Sequence, residues 1–172
     1  MSSNRAVPEV QERGIWLDVD LAEQRLSLME GAVAVKDYAI ASGRAGIGER
    51  NGSGQTPRGW HQVRAKIGTG RPVGTVFRGR RPTGEIYSPA LAAAQPERDW
   101  ILTRILWLSG LEPGFNRLGE VDTMRRYIYI HGGPDDAPVG EPGSRGCIRM
   151  RNADVTDLFE RVPAHAPVLI HE

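Results

Sequence analysis

Glycine and proline cut this chain into short pieces. It holds 21 glycines and 12 prolines with no fixed period, and such punctuation favours many turns over long helices. The densest apolar run, Asp99 to Ser109, fits helix or strand by periodicity alone. Its modest length, its β-branched and aromatic residues and the glycine that follows favour a central strand. Near the start, Ile15, Leu17 and Val19 alternate with Trp16, Asp18 and Asp20, the pattern of a half-buried strand. Leu26 and Leu28 continue as a strand, a turn falls at Glu30-Gly31, and residues 32–41 return, so the domain opens as a hairpin. Residues 42–56 carry five glycines and form a long loop. Val63 to Ile67 is a short strand, and residues 69–99 are irregular with one helical turn at Pro89–Ala94. Met124 to Ile130 alternates as a strand with Tyr127 and Tyr129 on one face. Asn152 is placed to cap a helix over Ala153–Val162, whose Val155, Leu158, Phe159 and Val162 share a face; Pro163 stops it, and Val168–Ile170 closes the domain as a strand. The expectation is one mainly β domain over residues 14–172, with one or two short helices, preceded by a polar, flexible segment 1–13.

Composition removes several function classes. The 22 basic and 21 acidic residues nearly cancel, giving +1, and the pairs Arg80-Arg81 and Arg125-Arg126 are too short to form a basic stripe, so no nucleic-acid partner is expected. No stretch has the ~18 apolar residues of a membrane-spanning helix. The first residues lack the apolar segment of a secretory signal, which leaves either a cytoplasmic chain or an export signal outside it. The single cysteine permits no intrachain disulfide. No paired Cys or His spacing suggests zinc, so neither metal nor cofactor is expected. His61 reads as a packing residue and His165 and His171 as surface residues; Trp100 and Trp107 belong to the core.

The chemistry concentrates in residues 129–152. His131 ends an apolar strand, and Cys147 follows 16 positions later, after a Gly- and Pro-rich spacer. A lone cysteine is ordinarily a small buried hydrophobe. A thiol is a strong nucleophile only as thiolate, and a neighbouring imidazole supplies the base. A histidine on a strand end and a cysteine on the adjacent loop meet if the chain returns alongside. Gly146 lets backbone and substrate approach closely, and the amides of Arg145, Gly146 and Cys147 are candidates to face an oxyanion. The imidazole needs an acceptor for its other N–H, and the carbonyls near Gly132 and Gly133 are equal candidates.

These residues resemble a family. His131-Gly132, a spacer of fifteen or so residues, then Ser144-Arg145-Gly146-Cys147-Ile148-Arg149-Met150 and Asn152 look like the signature of L,D-transpeptidase (YkuD-type) catalytic domains. Residues 15–28, with Asp18 and Gln24, resemble that family's opening hairpin, and Thr56-Pro57-x-Gly59 resembles its Thr-Pro-x-Gly turn. The resemblance covers nearly all of residues 14–171. It implies a YkuD-like β-sandwich of mixed sheets and a cysteine transpeptidase that cross-links peptidoglycan stem peptides through a thioester. Cys147 then corresponds to the nucleophile and His131 to the base. Ser144, Arg145, Gly146 and Gly132 correspond to loop-shaping or oxyanion positions, and Tyr129, Arg149 and Arg126 are the candidate substrate contacts. It also implies a periplasmic or cell-envelope location, and a monomer is expected. Arg145 departs from the family, which usually has histidine there. A guanidinium is no base but pairs with carboxylates, and family members with Ser-Arg-Gly-Cys are associated with 1,3 rather than 3,3 cross-links. An L,D-carboxypeptidase or amidase using the same pair, and a non-catalytic wall-binding module, are the alternatives; binding alone needs no thiol.

Overall fold

In the computed structural model, which describes residues 14–172, the alternating N-terminal pattern folds as an antiparallel meander of β1 (Ile15–Asp20), β2 (Arg25–Glu30) and β3 (Val33–Ala39). The expected flexible segment 1–13 lies outside the described residues. There follow β4 (Gly59–Ile67), β5 (Thr75–Arg78), β6 (Arg81–Ile86), the helix α1 (Pro89–Ala94) and the long strand β7 (Ile101–Gly110). A short 3-10 turn at Gly119–Val121 precedes β8 (Tyr129–Gly132), β9 (Ile148–Met150), α2 (Asn152–Arg161) and β10 (Pro167–His171).

The strands form one connected mixed sheet. β10 inserts beside β1 in parallel and pairs antiparallel with β4 on its other side. β7 joins β4 on one edge and β8 on the other, and β9 runs parallel to β8. As expected for an apolar run buried on both faces, β7 is central. It carries a bulge at Thr103-Arg104, where Thr103 takes φ 76° and the register against β8 slips. Below the bulge its partner is β5; above it, β4. A bulge bends a strand and re-aims its side chains, and here it permits two partners on one edge.

Leu17, Val19, Leu26 and Leu28 of the meander pack with Leu106, Leu108, Ile130, Ile148 and Ile170. Val155, Leu158 and Phe159 of α2 complete this core, as the 3.6-residue spacing requires.

Three local expectations need correction. Residues 75–86, expected to be irregular, form a hairpin whose turn residues Gly79 and Arg80 both have positive φ (55° and 65°), the geometry of a two-residue primed turn. Residues 124–127 are turns, not strand: the Asp122 carboxylate accepts from Leu118 N and Arg125 N, and Tyr127 takes φ 56°. Asn152 is the first residue of α2, not its cap. The cap position is Arg151, without a side-chain bond, because the Asn152 amide is drawn into other contacts described below.

Candidate active site

The parallel pairing of β8 with β9 sets the site. It puts His131 opposite Arg149. Cys147, just ahead of β9, comes beside Tyr129, whose backbone N–H donates to Sγ at 3.3 Å. The thiol in turn donates to the Tyr127 carbonyl at 3.4 Å. The loop bearing Cys147 thus comes beside the start of β8, with His131 two residues further along the same strand, and the two side chains make no hydrogen bond to each other.

His131 is 3% exposed. Of the two acceptors open from sequence, its Nδ1 meets the Gly132 carbonyl, at 2.6 Å. That bond fixes the tautomer with the proton on Nδ1 and leaves the Nε2 lone pair available. Burial lowers the imidazole's pKa, against the pull of the Gly132 carbonyl and the Asp99 charge, so the ring is neutral. The thiol is shifted the other way. Cys147 is half-buried, and the partial enclosure of its sulfur pushes it up to about 12, with the Tyr129 N–H and the Arg126 charge acting in the opposite sense. The pair therefore rests as neutral thiol and neutral imidazole rather than as an ion pair.

The enclosure has an identifiable source. Cys147 packs against the cluster of Phe77, Ile105 and Tyr129, and Phe77 belongs to the β5–β6 hairpin. From its turn, Arg80 donates to the Tyr129 hydroxyl at 2.9 Å and lies over the rings of Tyr127 and Trp107, 4.6 and 4.9 Å from their centroids. This stack is the hairpin's fastening beside the sulfur.

The loop bearing Cys147 is held from both sides. Ser144 Oγ donates to the Cys147 carbonyl and accepts from Gly146 N. Thr56, fully buried, donates to the Gly146 carbonyl at 2.9 Å and accepts from Gly43 N at 2.8 Å. Gly146 takes φ 118°, and a Cβ there would stand 3.1 Å from the Gln55 carbonyl; only glycine fits. Because Gly146 N–H is spent on Ser144, it is not free to face an oxyanion, contrary to the sequence expectation.

The remaining candidates divide. Tyr129 is buried in the core cluster, with only its hydroxyl reaching Arg80. Arg126 donates to Gly48 O, Ser53 Oγ and Gln55 O, so its fork stitches the 48–55 loop instead of standing free for a substrate. Arg149 lies over Gly133: a Cβ at 133 would meet its Cδ at 2.5 Å. One of its terminal nitrogens reaches Pro138 O, while Nε is buried without a partner among the described residues. Arg145 is exposed and donates to the Glu97 carbonyl at 3.2 Å.

Sequence reasoning missed the brace behind His131. Asn152 Oδ1 accepts from Thr103 Oγ1, and its Nδ2 donates to Asp135 at 3.1 Å. A Cβ on Gly132 would run into that Oδ1 at 2.5 Å, so the bulge of β7, α2 and the loop after His131 close on the Gly132 backbone that orients the imidazole. His61 is buried as expected, between Gly59 O and Thr123 Oγ1. His165 is exposed, and His171 pairs with Asp18. No group of His, Cys, Asp and Glu fit to hold a metal occurs among the described residues.

No curated protein matches the chain in sequence. Solved structures do match in fold. An L,D-transpeptidase from Xylanimonas cellulosilytica aligns with TM-score 0.59 at 20% identity, over 97% of this chain and 64% of its own. One from Mycobacterium smegmatis aligns with TM-score 0.55 at 17% identity, over 92% and 58%. L,D-transpeptidase 3 from Mycobacterium tuberculosis, solved with a faropenem-derived adduct, aligns with TM-score 0.56 at 16% identity, over 92% and 60%. The chain thus spans less than two thirds of the length of these relatives. The family model for the L,D-transpeptidase catalytic domain (YkuD) matches residues 14–170, and the chain belongs to that family.

Proposed function

We propose that this chain is a cysteine L,D-transpeptidase domain, residues 14–172, that joins peptidoglycan stem peptides through a thioester on Cys147. The observation that carries this reading is a tautomer-fixed histidine on β8 and the chain's one thiol just ahead of the parallel neighbour β9, its sulfur bonded to the first residue of β8, within the fold of this family. As Sγ attacks the donor carbonyl, the S–C bond forms, His131 Nε2 takes the thiol proton, and the amide C–N bond breaks with that proton passing to the leaving amine. The acceptor amine then attacks the thioester: a C–N bond forms, the C–S bond breaks, and the amine's proton returns through His131 to sulfur. The Arg145 and Cys147 amides serve the oxyanion, since Gly146 N–H is occupied. Water in place of the amine gives the carboxypeptidase reaction.

The neutral resting pair suits a general-base attack, in which the proton leaves as the bond forms. A cell-envelope location and a monomeric state accompany the reading; no helix among the described residues is long and apolar enough to cross a membrane. Incubation with defined tetrapeptide muropeptides, with products identified by mass, tests it. Cross-linked dimers that vanish in Cys147→Ala support transfer, shortened monomers alone select the hydrolase, and no product with either supports the wall-binding module.

A further inference from the structure

Away from the catalytic groups, the outer face of β4 and β7 carries a second pocket. Val63 and Leu108 pair across these strands and both belong to the main core, so the paired neighbours Gln62 and Ser109 stand on the other face. The turn over residues 117–125 lies against that face, where Trp107 Nε1 donates to the Met124 carbonyl at 3.2 Å. Between turn and strands is a pocket of about 150 Å³. It is smaller than the ~300–1,000 Å³ of sites for drug-sized ligands, and so suits a single small group.

The charge of this pocket is one-sided. Arg64, Arg117 and Arg125 line it against a single acid, Asp122. Arg64 is the extra residue of a bulge, where the register of β4 against β7 shifts between Val63 and Ala65; a bulge re-aims a side chain. The Asp122 carboxylate is spent on the backbone, accepting from Leu118 N at 2.8 Å and Arg125 N at 3.0 Å. It thereby pins the turn that brings Arg117 and Arg125 to one pocket. None of the three guanidiniums makes a hydrogen bond or ion pair among the described residues; Arg64 lies only over the Trp107 ring, 5.8 Å from its centroid. Ser109 is the second sign. It is 8% exposed, and its Oγ is buried with no hydrogen-bond partner among the described residues. Buried hydroxyls are nearly always satisfied, and a donor left over in a cationic pocket calls for an acceptor from outside the chain.

We propose that this pocket binds a dianionic phosphate group, held by Arg64, Arg117 and Arg125 with the Ser109 hydroxyl as the donor at its floor. Three cations against one acid leave a surplus of two charges, which a dianion matches and a carboxylate does not. Guanidinium forks suit phosphate oxygens in two-pronged fashion. Asp122 opposes any anion, but its carboxylate is already satisfied by two backbone N–H groups, which leaves the arginines to the ligand. The binding uses none of the groups assigned to acyl transfer and stands whether or not Cys147 is acylated. Inorganic phosphate and a phosphate monoester on a larger molecule share this chemistry.

The test is an NMR titration of the full chain in low salt at pH 8, where a phosphate group is mostly a dianion, with inorganic phosphate, glycerol 1-phosphate, dimethyl phosphate and acetate. Phosphate or its glycerol monoester should give saturable shifts at Arg64, Ser109 and Arg125, with the singly charged dimethyl phosphate and acetate at least tenfold weaker. Tighter binding of the free ion than of the monoester assigns a free-ion site; the reverse assigns a group carried on a larger molecule. Arg64→Gln with Arg117→Gln should weaken phosphate at least tenfold. Ser109→Ala should weaken it at least threefold and leave the urea midpoint unchanged or raised, because the hydroxyl it removes has no bond to lose. Arg25→Gln, which takes one charge from the start of β2, should change nothing. Shifts that do not saturate, phosphate no tighter than acetate, full phosphate affinity in Ser109→Ala, or equal losses in Arg25→Gln and the double variant overturn the proposal. Should a variant unfold, the ranking of the four ligands on the unaltered chain decides alone.

Discussion

Cys147 should be a slow thiol in the folded protein. The perturbation is unfolding itself, compared with the loss of Arg80. Enclosure of the sulfur raises its pKa from an ordinary 9.0 to about 12. Each unit is a tenfold change in thiolate at fixed pH, and thiolate is the alkylated species, so native Cys147 should react with iodoacetamide roughly 1,000-fold more slowly than the same residue in urea. Arg80→Ala removes the guanidinium bonded to the Tyr129 hydroxyl and stacked on Trp107 and Tyr127. It admits water beside the sulfur and should recover at least tenfold of that rate. The assay is alkylation followed by intact mass from pH 6 to 10. A native rate that equals or exceeds the unfolded rate and levels off below pH 7 would show a preformed thiolate and refute the neutral resting pair.

Other perturbations read the supports of the site. Burial lowers His61 to about 4 from an ordinary 6.5, so the unfolded chain binds the extra proton between those values. Its contribution is fully present above pH 6.5 and falls by about 3 kcal/mol toward pH 4; urea unfolding of wild type and His61→Gln should differ in slope across that window, and equal slopes would count against it. Thr56→Val removes the acceptor of Gly43 N and the donor to Gly146 O, and should cost about 1–3 kcal/mol of stability along with most of the acyl transfer. Gly146→Ala forces a side chain into φ 118° against the Gln55 carbonyl. It should cost about 1–3 kcal/mol and slow acylation at least 100-fold, read by melting and by rate of adduct formation; unchanged acylation would detach the loop geometry from function.

Much of this fold is written in local pattern. β7 is legible because a run buried on both faces must be apolar throughout, and the meander because Leu17, Val19, Leu26 and Leu28 alternate with residues of the opposite face. The β5–β6 hairpin is not, because β6 is largely exposed and Pro82 and Gly84 interrupt any alternation. Tyr127 imitates a strand residue for another reason: it is 53% exposed and stacks on Trp107 and Arg80 from a turn, outside the sheet. The His131 and Cys147 motif is visible in the sequence. Its supports are not, since Thr56 reaches Gly146 across 90 positions and Asn152 reaches Thr103 across 49. Charge alone also misled at Arg126, whose fork is filled by loop carbonyls that no sequence pattern discloses.

Covalent capture tests the central chemistry most directly. Intact-protein mass spectrometry after incubation with a carbapenem should show one drug-derived adduct per chain, absent in Cys147→Ala and formed far more slowly in His131→Ala. An unmodified mass in the wild-type chain, or an adduct that survives loss of the sulfur, would contradict the account.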